Sequence, residues 1–154
     1  MSASGSQIDE LRGFNPLGFT APFLDAISAE LLELTTGSLT QVAVEVKAAH
    51  CNLRGSAHGG FVAAVADVAL GLAVMRTDSS IESAVTVQMA VNYTGAAALG
   101  DVIVIDAEAG HVGRNLGFAS MTARSRGRVV AQGSGIFSLR RTPVALDDAG
   151  AGSQ

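Results

Sequence analysis

Residues 59–75 read Gly-Gly-Phe-Val-Ala-Ala-Val-Ala-Asp-Val-Ala-Leu-Gly-Leu-Ala-Val-Met. The run is too long for one strand and is rich in alanine, a strong helix former. It predicts a helix from Gly59 to Met75 that is apolar nearly all round, the pattern of a helix buried on every side. A membrane span is the competing assignment. It fails on length, because a bilayer requires about 20 apolar residues, and on Asp67 near the centre, which costs about 2.5–3.5 kcal/mol in lipid.

Working outward, the flanks read mostly as strands. Pro22 to about Glu30 is expected to form a short helix, with Thr20 as its cap and the proline in its first turn. Leu31 to Thr36 and Ser38 to Val46 form an expected strand pair that turns at Gly37. Beyond the long helix, strand character covers Ser83 to Tyr93, Asp101 to Ala109, Leu116 to Arg124 and Val129 to Leu139. In the first of these, Val85, Val87, Met89 and Val91 alternate with Thr86, Gln88 and Ala90, as on a half-buried strand. Glycines at 95, 100, 110, 113 and 127 mark short connections, which predict an antiparallel meander. The expected class is therefore α+β, an antiparallel sheet wrapped around one central helix. The sheet covers one side of that helix, so a second copy of the chain is expected to bury the rest.

Length and composition fit this reading. The 154 residues suggest one domain, taken as 22–141 between an N-terminal segment, 1–21, and a loose tail, 142–154. Hydrophobic residues make up 48% and charged ones 16%, which supplies a core and leaves surface for a partner subunit. A net charge of −4 and a pI near 5.2 argue against a nucleic-acid binder. Arg114, Arg124, Arg126, Arg128, Arg140 and Arg141 nevertheless gather in the last third, either as a patch for a small anion or as solvated hairpin residues. The N-terminus shows no basic region followed by an apolar one, so a cytoplasmic protein is expected.

The chemistry concentrates at the helix entrance. Two glycines at a helix start leave amides uncovered by side chains, and those amides carry the positive end of the helix dipole. They can hold a carbonyl oxygen that gains negative charge; the plainer use is a tight turn. Asp67 is the strongest single signal, because a carboxylate is almost never fully buried without a partner. The residues one turn away, Ala63, Ala64, Leu70 and Gly71, offer no opposite charge. Eight helical residues span about 12 Å, so the Gly59 amide and the Asp67 carboxylate of one chain cannot both touch one carbonyl. If both act, they come from different subunits of a homo-oligomer, either a homodimer or a homotetramer built from such dimers. His50 and Cys51 suggest a nucleophilic pair, but neighbours in an extended segment point to opposite faces. His50, His58 and His111 lack the spacing of a helical zinc pair, so no metal is expected. A lone cysteine also excludes an intramolecular disulfide.

The segment Asn52-Leu53-Arg54-Gly55-Ser56-Ala57-His58-Gly59-Gly60, followed by Asp67, resembles the signature of hotdog-fold thioesterases of the phenylacetate-degradation type. The resemblance runs from about Thr36 to Leu139. It takes in the Val85–Met89 strand, Leu99-Gly100-Asp101, Gly113-Arg114 and Val130-Ala131-Gln132-Gly133. It implies an acyl-CoA hydrolase in which Gly59 polarises the thioester carbonyl and Asn52 orients the thioester or water. Asp67 of the other subunit then acts as general base or nucleophile, Thr86 holds the water and His58 organises the loop. Coenzyme A, part of the substrate rather than a cofactor, is implied to contact Tyr93, Thr94, His111 and Arg114. Ala63, Ala64 and Ala66 leave space beside the helix for an aryl or medium acyl group. A dehydratase or hydratase of the same fold is the rival enzyme, but Asn52 stands where such enzymes carry a histidine, and Leu72 where hydratases carry another. A non-catalytic acyl-CoA binding module is the other rival, and Asp67 is an expensive residue to bury without chemistry.

Overall fold

The computed structural model describes residues 11–143. The first residues, and the tail beyond 143, lie outside this range. The elements are β1 (Asn15–Pro16), α1 (Pro22–Ala26), β2 (Leu32–Thr36), β3 (Leu39–Glu45), a 3-10 turn (Ala48–His50), α2 (Gly59–Met75), β4 (Ile81–Tyr93), β5 (Val102–Val112), β6 (Leu116–Ser125) and β7 (Arg128–Arg141). The long helix has the bounds its sequence predicts.

All seven strands form one antiparallel sheet in the order β1-β2-β3-β5-β6-β7-β4. The expected meander is therefore corrected at one point. β4 does not pair with β5, which follows it, but lies at the far edge against β7. Short connections favour neighbours, but the link from Thr94 to Asp101 instead crosses the N-terminal end of α2. The sheet curls so that α2 touches β3, β4, β5, β6 and β7. Val65, Ala66, Ala69, Leu70 and Val74 are almost wholly buried against Val42, Ile105, Ala123, Ala131 and Phe137. The apolar circumference of α2 thus goes into the concave sheet, while Ala63, Ala64, Asp67, Val68 and Gly71 stay partly open.

Local corrections have local causes. α1 stops at Ala26 instead of running to Glu30, because Ser28 adopts a left-handed φ of 52°. Its cap position is Ala21, not Thr20; the Thr20 hydroxyl donates to Asp25 instead. Gly37 makes the β2–β3 turn at φ 60°, as its sequence context predicts. β1 was not anticipated, since two residues carry no periodicity.

The larger surprise is in β4. Thr86 pairs with Phe137 and Gln88 with Ile136, which leaves Val87 as an unmatched bulge residue. A bulge shifts the phase of every side chain beyond it. The valines at 85 and 87 stand exposed at 63% and 60%, whereas Ala84, Met89 and Val91 pack against the core. The simple alternation expected for this strand holds on each side of the bulge but not across it.

Candidate active site

The loop from Asn52 to His58 is held from both sides. The Asn52 Oδ1 accepts from the amides of Arg54 (2.8 Å) and Ser56 (3.4 Å), and Nδ2 donates to Ser56 Oγ (3.1 Å). From below, the β4–β5 crossover grips the loop. The Ala57 amide donates to Ala97 (2.8 Å) and the Leu99 amide to the Gly55 carbonyl (3.1 Å). The crossover is itself fixed by Asp101, only 4% exposed, which accepts from Arg126 and from the Ala98 amide. The unexpected strand order therefore supplies the platform of the site.

His58 caps α2. Its Nδ1 accepts the Gly60 amide (3.0 Å), and its carbonyl accepts those of Phe61 (2.9 Å) and Val62 (3.1 Å). Of the helix's first four amides, Gly59's is the one left without a hydrogen-bond partner among the described residues. The Tyr93 hydroxyl donates to the Gly59 carbonyl (2.7 Å), and a Cβ at Gly59 would lie 3.4 Å from the tyrosine ring. Asn52, Gly59 and Tyr93 share the wall of a cavity of about 290 Å³, which also includes Arg54, Ser56 and Gly95. The sequence gives no local signal for Arg54. It is exposed, makes no ion pair among the described residues, and sits where an anionic part of a ligand can reach it.

Asp67 lies two turns further along α2, in a different cavity of about 320 Å³. Thr86 Oγ1 donates to its Oδ1 at 2.6 Å, while Oδ2 makes no hydrogen bond among the described residues. The β4 bulge makes this contact: it places Thr86 on the same face as Met89, Val91 and Tyr93, toward the helix. Phe19, Gly71, Met75 and Phe137 complete much of this apolar cavity, and none of them stands out as a site residue in the sequence. No arginine of the described chain pairs with Asp67.

The four expected coenzyme contacts divide between the two ends of the sheet. Tyr93 and Thr94 are at the Gly59 end, where the Thr94 amide donates to Val130 (2.9 Å). His111, at the end of β5, and Arg114, in the β5–β6 turn, lie at the opposite end. Arg141 secures that turn through the carbonyls of Gly113 (3.0 Å) and Arg114 (3.3 Å). The arginine cluster resolves largely into ion pairs: Arg124 with Asp106, Arg126 with Asp101, Arg140 with Glu82 and Arg141 with Asp78. It is not a continuous basic patch.

His50 is fully engaged away from the cavity. It is 2% exposed and stacks on Phe61 at 3.9 Å. Nδ1 accepts the Lys47 amide (3.0 Å), which leaves Nε2 to donate to the Ile27 carbonyl (2.8 Å). No ring nitrogen remains to activate Cys51. Among the described residues, no group of three or more His, Cys, Asp or Glu is placed to hold a metal, and no helix is long and apolar enough to cross a membrane.

A curled antiparallel sheet with a helix along its inner face, entered through Asn-x-x-Gly-x-x-His-Gly-Gly, defines the hotdog thioesterase class. Comparison with known sequences assigns residues 54–132 to the Thioesterase superfamily. Mouse acyl-coenzyme A thioesterase 13 is 31% identical over 132 residues, which cover 83% of this chain and 93% of that one. A mutant of phenylacetic acid degradation protein PaaI from Thermus thermophilus superposes with a TM-score of 0.66 at 29% identity, covering 77% of this chain and 98% of that one. A Streptococcus mutans protein solved with acetyl CoA bound superposes with a TM-score of 0.70 at 26% identity, covering 82% and 98%. The chain belongs to the thioesterase superfamily.

Proposed function

We propose that this thioesterase hydrolyses an acyl-CoA to the free acid and CoA, acting in the cytoplasm as a homodimer whose sites are each built by two chains. One observation carries the reading. The free amide of Gly59 and the free oxygen of Asp67 lie in separate cavities of one chain, about 12 Å apart along the helix. A thioester carbonyl held by the first is out of reach of the second unless a second chain supplies it.

The edge strand offers the means. β4 is 13 residues long, its outer edge is unpaired among the described residues, and it exposes Val85 and Val87. A long apolar edge of this kind is a template for another strand. Pairing two copies of β4 antiparallel about a two-fold axis near Met89 and Ala90 sets the Thr86–Asp67 end of one protomer beside the Tyr93–Gly59 end of the other. The same pairing brings the partner's β5–β6 hairpin end, with a histidine at the end of the strand and an arginine in the loop, toward the end that carries Tyr93, Thr94 and Arg54. The coenzyme then lies across the 290 Å³ cavity of one chain, and the acyl group, aryl or of medium length, enters the 320 Å³ cavity of the other.

In this arrangement the Gly59 amide stabilises the developing oxyanion. Asp67, held at Oδ1 by Thr86, takes a proton from water through Oδ2 as the water oxygen bonds to the acyl carbon. Collapse of the tetrahedral intermediate breaks the carbon–sulfur bond. The proton passes from Asp67 to the CoA sulfur, leaving acid and thiol, with no cofactor beyond the substrate. Asn52 and His58 keep the loop and the amide in place. The single free cysteine suits a reducing compartment.

Complementation tests the shared site. Asp67→Asn removes the acid, and Gly59→Pro removes the amide N–H at a first helical position that accepts proline. The two proteins, each expected to be inactive alone, are unfolded together and refolded as a mixture. Half of the dimers are then hybrids with one intact site, so activity returns to about a quarter of the wild-type level. Absence of any recovery in hybrids verified by mass places both groups in one chain and rejects the proposal.

A further inference from the structure

The cavity beside Asp67 is an elongated slot. A stripe of α2 from Asp67 through Gly71 to Met75 faces β4 from Thr86 back to Glu82, with Phe137 beneath. Its helical wall runs about 12 Å, leading away from the carboxylate.

Gly71 stands midway along it. A glycine inside a helix weakens the helix relative to alanine and needs a local reason. Other glycines of the fold have a steric one. A Cβ would meet Val74 Cγ1 at 2.4 Å from Gly117, the Ala90 carbonyl at 2.5 Å from Gly133, and the Phe137 ring at 2.8 Å from Gly135. At Gly71 the nearest atom would be Phe137 Cε1 at 3.5 Å, an ordinary contact, and its φ is not positive. Neither backbone nor packing requires the residue. What its missing side chain does is keep the slot open along its length.

We infer that Gly71 is the specificity-determining position, opening the slot to an apolar acyl group of medium length or to an aryl group. The inference rests on the proposed placement of the thioester beside Asp67. Any larger side chain here would divide the slot and leave room only for a short acyl group.

The test is kcat/KM on acetyl-, octanoyl- and benzoyl-CoA for the wild type, Gly71→Ala and Gly71→Leu. The leucine variant is expected to lose about tenfold or more on octanoyl- and benzoyl-CoA relative to acetyl-CoA, with alanine in between. An equal loss on all three substrates, or none, overturns the inference. Gly71→Ala keeps the test decisive if the leucine variant folds poorly. A wild type that hydrolyses none of the three rejects the proposed function. The slot is then read with octanoate, which should raise the melting temperature of the wild type but not of Gly71→Leu. A wild type unmoved by octanoate overturns the inference by itself.

Discussion

Thr86 Oγ1 lies 2.6 Å from Asp67 Oδ1, joining a strand and a helix 19 residues apart in the chain. The bond fixes one carboxylate oxygen and turns the other toward open space. It exists because Val87 is extra in the ladder with β7. Without that bulge Thr86 would share a face with Gln88 and Ala90, and the carboxylate would be unsupported.

Replacing Thr86 by Val should therefore lower kcat with little change in stability. A hydrogen bond to a charged group is worth about 1.5–3 kcal/mol, which corresponds to roughly ten- to hundredfold in rate. Thr86→Ser should restore most of the loss. Steady-state kinetics beside thermal melts decide the matter. A Thr86→Val enzyme with unchanged kcat would show that the hydroxyl only ties the edge strand to the helix.

Much of this was legible in the sequence, for particular reasons. Residues 59–75 announce a buried helix because alanine content, length and all-round apolarity agree. The strands around Val42 to Val46 and Val102 to Ala109 announce themselves through β-branched residues. The place of β4 at the sheet's edge was not legible, since strand order is set by which surfaces the crossover from Thr94 to Asp101 can cover, not by the strand's own residues. The bulge was equally hidden: Val85-Thr86-Val87-Gln88-Met89 alternates without a flaw on paper. At the site, Asp67 and the paired glycines stood out as chemical oddities. Tyr93's bond to Gly59 and the slot at Gly71 depend on contacts across the fold, and no local pattern encodes them.

The glycines supply a second prediction, with opposite signs at two positions. Gly117→Ala forces a methyl to within 2.4 Å of Val74 Cγ1, where α2 packs on β6. Overpacking of this kind costs about 1–3 kcal/mol. Gly71→Ala meets only an ordinary contact and gains helix propensity, so it should stabilise by about 0.5–1 kcal/mol. Urea melts of the two variants should therefore move in opposite directions from the wild type. A destabilised Gly71→Ala would mean that the glycine is there for packing.

A third prediction concerns pH. Asp78, in the turn after α2, accepts from the Ser80 amide and from Arg141. The Ser80 backbone first, then the Ser80 hydroxyl and Arg141, hold its carboxyl below its ordinary value of 3.8. A depressed folded-state pKa contributes stability above the unfolded value and loses it as pH falls through the folded one. The melting-temperature gap between wild type and Asp78→Asn should thus be constant from neutral pH down to about 4, then close as pH drops further. A gap that opened on acidification would have the wrong sign for this account.

The last prediction bears on the two-chain site. Ala90 is exposed and lies next to the proposed two-fold axis, so Ala90→Glu disturbs no buried contact within the protomer. In a β4–β4 dimer it sets two carboxylates close together across the axis, and like charges opposed across strands are destabilising. The variant should elute as a monomer on size exclusion with light scattering, while its far-ultraviolet circular dichroism stays that of the wild type. Because neither half-site holds both the amide and the acid, activity should fall together with the dimer and return as protein concentration is raised. Salt should help as well, since screening weakens the repulsion. A monomeric Ala90→Glu protein with full specific activity at every concentration would show that one chain completes the reaction alone. The separation of Gly59 from Asp67 would then have to be closed by a movement within the protomer, not by a partner.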